Sequence, residues 1–289
     1  MFRQAATARR EIAYNMAAIG ITPDPETRRN VRLAVDRDLQ AQRLRPNVPV
    51  PPRRAVLSYL KTMRAETGSW LRAIQSLLHS GSWTSSGGSF RLADKMNRNL
   101  YDLCERTLSR KSSLTFLEIG AGWAGFGGAQ DAAPTGIAAL AQRYGNRLGY
   151  DLNLHFTNLT RWHNRKNLPG CVTEHPHVTA ASLAVLEQHG LQLGSVDVIY
   201  SQAAAYFEPD QARFVAAAAG FLAPGGTMIY NHQEKDAEIV RQTAAEHGLQ
   251  FEHRLSLGGM NGDVVLLRKS AQADSAFEAE AQPWLTAAE

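Results

Sequence analysis

The hydrophobic pattern of the chain changes its period near residue 112. Before this point, apolar residues recur at helical spacing, as from Val31 to Leu39, which predicts amphipathic helices. After it, short apolar runs such as Leu114–Ile119 alternate with helical stretches, which predicts strands joined by helices. The predicted regions are a helical part over 1–111, an α/β domain over 112–270 and a tail over 271–289.

The helical part contains two stretches of unusual composition. A helix over 3–18 is followed by one that begins near Asp24 and Pro25, with Asp24 as N-cap and Pro25 in the first turn. The proline-rich stretch Arg45–Pro52 cannot continue a helix and predicts an extended linker or strap. Ser80–Ser89, rich in glycine and serine around one tryptophan, is typical of a lid over a pocket and equally of a plain linker.

The second part of the chain alternates between strand and helix patterns. The predicted strands are 114–119, 152–159, 171–178, 196–201, 226–231, 249–257 and 263–268, and the predicted helices are 135–144, 182–189, 210–222 and 236–248. Only residues 258–262 separate the last two strands, which is too short for a parallel crossover, so this pair is an antiparallel hairpin. The predicted fold class is α/β, a doubly wound, mostly parallel seven-stranded sheet ending in this hairpin, with an N-terminal helical region.

The first strand of this sheet runs into a glycine-rich turn. Residues 114–128 read LTFLEIGAGWAGFGG, with glycine at 120, 122, 125, 127 and 128. Because glycine has no Cβ, a ligand can lie directly against the main chain of such a turn. The pattern therefore predicts a nucleotide-cofactor site, whose identity depends on the carboxylate of Glu118 just ahead of the first glycine.

Net charge divides the chain into a basic and an acidic part. Residues 1–110 carry 19 Lys+Arg against 9 Asp+Glu, a net charge of +10, so the remaining residues, with 12 against 18, carry −6. A basic half is compatible with a nucleic acid, an acidic substrate or an acidic partner surface. Its arginines are scattered and not interleaved with aromatic residues, which favours solvated helix faces.

The cysteines and the apolar runs bear on the compartment. Cys104 and Cys171 form no CxxC pair and accompany no His/Cys cluster, which predicts free thiols and no metal site. The chain begins without an apolar block of signal-peptide length, and its most apolar run, Phe214–Ala223, is about half as long as a membrane span requires. We therefore expect a cytoplasmic protein with no membrane partner, and a homodimer remains open.

Four segments together resemble the class I (Rossmann-like) S-adenosylmethionine (SAM) dependent methyltransferases. They are Glu118-x-Gly120-x-Gly122 after the first strand, the fourth strand at 196–200, the Phe221–Gly226 turn before the fifth strand, and the closing hairpin. Together they cover about residues 112–270. The resemblance implies SAM as the cofactor and methyl transfer as the activity.

The resemblance also implies roles at the glycine turn. The main chain of Gly120, Ala121 and Gly122 would pass against the tail and ribose of SAM. Glu118 would anchor the turn and the ammonium side of the cofactor by charge-assisted hydrogen bonds.

The ribose and adenine positions depart from the family pattern. An acidic residue that grips the ribose usually ends the second strand, and here Asn158, followed by Leu159, stands there. An amide bonds a hydroxyl without charge, so a weaker contact is expected, and Asp151 is the substitute if the register differs.

The third-strand motif, which lies at the adenine in the family, corresponds to Thr179 and Ala180 in place of the usual Asp-Ala. Ser201 and Gln202, at the end of the fourth strand, complete the implied cofactor site.

Two residues are candidates for a general base. His232 follows the fifth strand and Tyr206 follows the fourth, and open α/β sheets bind their ligands at the carboxyl ends of strands. Alignment of nucleophile, methyl and sulfur supplies about 7 to 11 kcal/mol, whereas a base adds about 10² to 10⁴ in rate, so a base is not indispensable. Tyr206 is alternatively a wall of the pocket.

The cofactor has two alternatives at this stage. GAGWAG also satisfies the G-x-G-x-x-G pattern of nicotinamide and flavin sites. Glu118, the Leu-x-Pro-Gly-Gly turn and the hairpin favour SAM. A structural glycine turn without a ligand is the other alternative.

Missing motifs narrow the substrate. Family members that methylate DNA exocyclic amines or glutamine side chains usually carry Asn or Asp, Pro-Pro and an aromatic after the fourth strand, where this chain reads SQAA. Methylation of pyrimidine carbon requires Pro-Cys, and neither cysteine follows a proline. The resemblance thus implies O- or N-methylation of a small molecule, with nucleic acid unlikely as a partner. It also implies that the helical region over 1–111 is a cap that covers or builds the substrate pocket. An RNA or protein methyltransferase that uses the basic half, and a SAM-binding subunit without catalysis, are the alternatives.

Overall fold

The computed structural model describes residues 2–42, 56–57, 60–61, 64, 68–78, 90–126, 133–202, 204–257 and 262–271. Arg45–Pro52, Ser80–Ser89 and the tail from 272 onward, for which the sequence predicts a strap, a lid or linker and a tail, lie outside the described residues. The helices are α1 (Phe2–Ala18), α2 (Pro25–Ala41), α3 (Trp70–Leu78), α4 (Arg91–Lys95), α5 (Leu100–Lys111), α6 (Gly136–Tyr144), α7 (Gln211–Phe221) and α8 (Ala237–Glu246). The strands are β1 (Ser113–Ile119), β2 (Asp151–Asn158), β3 (Val172–Pro176), β4 (Val196–Ser201), β5 (Leu222–His232), β6 (Leu249–Ser256) and β7 (Asp263–Lys269).

The seven strands form one sheet in the order β3-β2-β1-β4-β5-β7-β6. Strands β1 to β5 pair in parallel, whereas β7 runs antiparallel to both β5 and β6. The predicted fold class and the closing hairpin are therefore confirmed. The order reverses beside β1, where β2 lies on one side and β4 on the other, and this is the switch point at which open sheets bind ligands.

Apolar side chains cover both faces of the sheet, as expected for strands joined by helical crossovers. On the first face, Phe116 and Tyr200 belong to a core that includes residues of α4, α5 and α6. On the second face, Leu117 and Tyr230 belong to a core that includes residues of α7 and α8. Successive side chains of a strand point to opposite faces, so Glu118 shares the first face with Phe116.

Two helix boundaries are set by side chains at their N-termini. Asp24 accepts a hydrogen bond from the main-chain N–H of Thr27 at 2.7 Å, and α2 begins at Pro25, which confirms the predicted cap. Asn99 caps α5 by accepting from Tyr101 and Asp102. Such caps satisfy N–H groups that the first helical turn leaves without partners.

Helices α1 and α2 pack together over the loops that follow β2 and β3. Their shared core contains Ile12, Met16, Val35 and Leu39, with Leu159 and Ala181 of those loops packed against it. The N-terminal helices thus lie against the carboxyl-end loops of one side of the sheet. Most of their arginines face solvent: Arg3, Arg10, Arg28, Arg29, Arg32 and Arg37 are exposed.

Two predicted elements differ from the structure. The helix expected over 182–189 is a short 3-10 helix, Leu183–Glu187. At its start, the Ser182 hydroxyl bonds the main-chain N–H of Thr179, and such local bonds compete with a regular helix. Strand β5 begins at Leu222 and not at Gly226, because Leu222 pairs with Val196 and the inserted residues 223–226 form a bulge before Thr227 pairs with Val198.

Candidate cofactor site

The glycine turn after β1 is anchored to the end of β2. The main-chain N–H groups of Gly120 and Ala121 both donate to the carbonyl oxygen of Thr157, at 3.1 and 3.2 Å. The Gly120 N–H also lies 3.1 Å from the Thr157 hydroxyl. Gly120 has φ +71°, and a Cβ at this position would collide with the Cβ of Ala204. Backbone conformation and the contact with Ala204 therefore already require glycine here, independently of any ligand.

Asn158 holds the next peptide of the turn with both atoms of its amide. Its Oδ1 accepts from the Gly122 N–H at 2.7 Å, and its Nδ2 donates to the Gly122 carbonyl at 3.1 Å. The second Nδ2 proton goes to Oε1 of Glu174, at 3.0 Å, and the residue is only 2% exposed. In this arrangement Asn158 bonds protein where the resemblance implies a ribose, and both of its N–H donors are used. Its role toward a cofactor stays a prediction.

Glu174 on β3 connects Asn158 to the loop after β2. Its carboxylate accepts from the main-chain N–H of Trp162 at 2.7 Å and of His163 at 2.9 Å. Burial opposes ionisation, but the His163 ring, whose Nδ1 lies 3.6 Å from Oε2, the Asn158 amide and these N–H groups outweigh it and hold the pKa of Glu174 below its usual range. Glu174 is therefore an ionised hub that orders the loop beside the glycine turn.

Glu118, in contrast to Glu174, is a buried carboxyl with an oxygen that lacks a hydrogen-bond partner in the part of the chain that the structure describes. The residue is 1% exposed, and its Oε2 is buried without a hydrogen-bond partner among the described residues. Burial raises the pKa of this carboxyl well above its usual range. A buried polar group without a partner is energetically costly, so this oxygen marks a place beside the turn where a hydrogen-bonding or charged group would be stabilised.

Tyr200 and Tyr101 are the aromatic neighbours of Glu118. Tyr200 is paired with Glu118 across β1 and β4 and donates from its hydroxyl to Gln202 Oε1 at 2.9 Å. Its hydroxyl also accepts from the Leu92 N–H of α4 at 3.2 Å. The Tyr101 hydroxyl accepts from the Gly136 N–H, the first residue of α6, at 2.8 Å. Sequence analysis missed both tyrosines, because neither contact has a spacing or a motif in the sequence.

His232 and Tyr206 lie near one another at the carboxyl ends of β5 and β4. The Gln233 side chain donates to the Tyr206 carbonyl at 3.2 Å, and His232 Nδ1 lies 2.8 Å from the Gln233 carbonyl. Because a carbonyl only accepts, Nδ1 carries the proton of this contact, and Nε2 is the other ring nitrogen. The ring of His232 lies 5.8 Å from that of Tyr230, on the face of the sheet opposite to Glu118.

The remaining predicted site residues make contacts within the protein. The Ser201 hydroxyl is buried between the Ile119 carbonyl, at 3.3 Å, and the Ala205 N–H, at 3.2 Å. Thr179 and Ser182 bond each other, and Ala180 is buried. The structure thus gathers Glu118, Asn158 and Ser201 around the glycine turn, and it places His232 on the opposite face of the sheet from Glu118. Their roles in binding or catalysis stay predictions.

An aromatic contact connects the loop after β2 to the glycine turn. The Trp162 ring meets the Trp123 ring edge to face, with centroids 5.2 Å apart and an interplanar angle of 89°. Trp162 Nε1 donates to Asp38 of α2 at 3.0 Å. No sequence pattern pointed to Asp38, because its partners are more than a hundred residues away.

Two negative findings concern the described residues. No group of three or more His, Cys, Asp or Glu side chains there is arranged to hold a metal ion. None of the helices described has both the length and the apolar character that a bilayer crossing requires. Cys104 and Cys171 are both free.

Comparison with known proteins gives structural likenesses only. No protein-family model matches the sequence, and no curated protein matches it. Among solved structures, the chain is similar to a SAM-dependent methyltransferase from Mesorhizobium loti, with TM-score 0.40 and 12% identity over 58% of this chain and 97% of that one. It is also similar to SAM-bound CalS10, an amino pentose methyltransferase from Micromonospora echinaspora, with TM-score 0.37 and 13% identity over 59% and 89%.

A third similar structure is that of an enzyme named for a different reaction. It is the cyclase SpnF, with TM-score 0.40 and 11% identity over 66% of this chain and 83% of that one. These structures are mostly of the kind that the sequence resemblance predicts. At such scores and identities they establish neither a shared family nor a shared ligand, and one fold hosts many reactions.

Proposed function

We propose that this protein is a SAM-dependent methyltransferase that acts on an O or N atom of a small molecule. The observation that supports this most is the unpartnered Oε2 of Glu118, buried beside the glycine turn at the switch point of the sheet. Among nucleotide cofactors, SAM carries an ammonium group and a sulfonium, whereas the part of NAD or FAD that meets such a turn is an anionic pyrophosphate. A buried carboxylate favours the first and repels the second.

The residues around the turn fit this cofactor in part. Glu118 would hold the ammonium group, with release of the proton that burial keeps on the carboxyl. The turn is fixed in advance by Thr157 and Asn158, so little ordering remains when a ligand binds. Bound SAM would supply a methyl group activated by its sulfonium. The ribose lacks a free acidic partner at Asn158, so a weaker hold on that part is expected.

The protein's part in methyl transfer is mainly to align the acceptor and to remove a proton. His232 is the base candidate with a defined tautomer, since Nδ1 donates to Gln233 and Nε2 is available to accept a proton. It lies on the face opposite to Glu118, so an acceptor would have to reach over the ends of β4 and β5. Methyl transfer to an amine that is already neutral would not need this base.

The test is a calorimetric titration that isolates the contact between Glu118 and the ammonium group. S-adenosylhomocysteine carries the amino acid tail, and 5′-methylthioadenosine lacks it. We expect the wild-type protein to prefer S-adenosylhomocysteine, and Glu118→Gln to abolish that preference, because the lost charge contact corresponds to about a hundredfold in affinity. Glu187→Gln, an exposed residue of the 3-10 helix, is the matched control.

Three outcomes of this titration are decisive. Absence of binding by the wild-type protein would overturn the cofactor assignment, and binding of NAD instead would replace it. An unchanged preference in Glu118→Gln would remove Glu118 from the site.

A second candidate function is a SAM-binding subunit that catalyses nothing. The engagement of both Asn158 donors, one by the Gly122 carbonyl and one by Glu174, favours it, because the ribose contact of the family is then missing. Tight S-adenosylhomocysteine binding without methyl transfer to any member of a broad panel of amines, phenols and carboxylic acids would support this candidate. Methylated product in that panel would exclude it.

A further inference from the structure

Asp38 on α2 lies outside the predicted catalytic domain but bonds the loop after β2. Its Oδ2 accepts from the Thr160 main-chain N–H and the Trp162 indole N–H, both at 3.0 Å, and also from the Thr160 hydroxyl. Gln42, one turn further along, donates to the Thr160 hydroxyl and, at 3.0 Å, to the Arg161 carbonyl. One carboxylate therefore receives three hydrogen bonds from a loop 122 to 124 residues away in sequence.

The loop that Asp38 holds is the one that braces the glycine turn. Trp162 presents its ring edge to Trp123, which follows Gly122 in the turn. The main-chain N–H of Trp162 bonds Glu174, and Glu174 bonds the same Asn158 amide that clamps Gly122. A side-chain contact and a hydrogen-bond network thus both run from Trp162 to the turn.

The indole of Trp162 has its orientation set from two sides. Its edge packs on Trp123, and its N–H is satisfied only when the acceptor on α2 is in place. Without Asp38, this N–H and the Thr160 N–H would lose their acceptor, and an unsatisfied buried donor is costly enough to turn a side chain away. A turned Trp162 would no longer support Trp123.

We propose that Asp38 is a positioning residue for the cofactor site, which fixes Trp162 and through it Trp123 and the glycine turn. The inference rests on the proposed function for the identity of the ligand. It makes the helical hairpin α1–α2 part of the cofactor site, whereas sequence analysis assigned the N-terminal region to the substrate. Asp38 would influence the cofactor only through other residues, because its carboxylate is engaged by Thr160 and Trp162.

The experiment is a double-mutant cycle of Asp38→Ala and Trp162→Phe, read out by calorimetric titration with S-adenosylhomocysteine. Phenylalanine keeps an aromatic ring but removes the indole N–H. We expect Asp38→Ala to weaken binding roughly tenfold, Trp162→Phe to weaken it less, and the double variant to be no weaker than Asp38→Ala, because Asp38→Ala already removes the acceptor of the Trp162 N–H together with the bonds to Thr160. Asp38→Asn keeps an acceptor oxygen and should recover part of the affinity.

Two matched controls separate this effect from general damage. Asp36→Ala changes a carboxylate on the same helix, and Trp70→Phe changes a tryptophan that is 45% exposed on α3. Neither should alter binding. Far-UV circular dichroism checks that each variant is folded, and Asp38→Asn replaces Asp38→Ala in the cycle if the latter does not fold.

A ligand-free measurement distinguishes failure of this inference from failure of the proposed function. Near-UV circular dichroism reports the packing of the Trp123–Trp162 pair, and we expect Asp38→Ala to change it while Asp36→Ala does not. If the wild-type protein binds no S-adenosylhomocysteine but this signal changes, the proposed function fails and the positioning role stands. Wild-type affinity and near-UV signal in Asp38→Ala, or fully additive losses in the cycle, would overturn the positioning role.

Discussion

Glu118 and Asn158 lie near the carboxyl ends of neighbouring strands, on the same face of the sheet, and are almost equally buried. Asn158 has both amide atoms engaged by the turn and by Glu174. Glu118 has a carboxylate oxygen with no partner among the described residues. The neutral amide thus stabilises one side of the turn, whereas the acid leaves an unpartnered oxygen on the other side, which the proposed function assigns to the ammonium group of SAM. Similar position and burial therefore do not imply similar roles.

The largest expected change in stability is that caused by Asn158→Asp. The change replaces a donor with an acceptor opposite the Gly122 carbonyl and the Glu174 carboxylate, so two favourable contacts become repulsive. We expect the free energy of unfolding to fall by about 3 to 5 kcal/mol at neutral pH, measured by urea denaturation. Asn146→Asp, in an exposed position after α6, is the control. Unchanged stability would mean that Asn158 does not clamp the turn and would return it to the ribose.

The second prediction concerns Glu118→Gln, which we expect to raise the free energy of unfolding by an amount that depends on pH. Because burial raises the pKa of Glu118, the folded state keeps a proton that the unfolded state releases above about pH 4.5. Its contribution to stability is therefore present below that pH and is lost as the pH rises. Without ligand, Glu118→Gln should be more stable than the wild-type protein by roughly 1 to 3 kcal/mol at neutral pH, with little difference near pH 4.

Urea denaturation at several pH values checks this prediction. The same variant is expected to lose ligand affinity, so stability and binding should move in opposite directions. Glu187→Gln should show neither change. A variant less stable than the wild-type protein at neutral pH would mean that Glu118 has a partner in the ligand-free state.

The smallest effect is expected for Thr157→Val. The hydroxyl of Thr157 bonds the Gly120 N–H, but the Thr157 carbonyl bonds the same N–H at the same distance. Since one acceptor remains, we expect a loss of at most about 1 kcal/mol, and little change in ligand affinity. Thr173→Val, on the exposed side of β3, is the control. A loss as large as that of Asn158→Asp would show that the turn depends on this single hydroxyl.

Elements with a clear local signal were predictable from the sequence. Asp24 caps α2 as expected, because the residue order Asp-Pro carries the information locally. The closing hairpin also follows from a loop too short for any other connection. The prediction of an α-helix over 182–189 was wrong. A short 3-10 helix forms instead, because Ser182 and Thr179 form competing hydrogen bonds that hydrophobic spacing does not show.

The candidate site was less predictable than the fold. Glu118 and the glycine turn stood out because they are contiguous in the sequence. The residues that surround them are distant in the sequence. Ala204 covers Gly120, Tyr200 pairs with Glu118 on the neighbouring strand, and Asp38 bonds Trp162 from an N-terminal helix. None of these contacts has a spacing or a motif of its own.

The amino-acid sequence by itself determined the strand and helix order, the hairpin and the acidic residue ahead of the turn, because these depend on hydrophobic period, loop length and adjacent residues. Only the tertiary structure decided that the Asn158 amide would hydrogen-bond Gly122 and Glu174, and that Glu118 Oε2 would have no partner among the described residues. It also decided that His232 would lie on the face of the sheet opposite to Glu118. Hydrogen-bond satisfaction is a property of the assembled fold: a donor and its acceptor meet only after the strands have paired and the helices have packed.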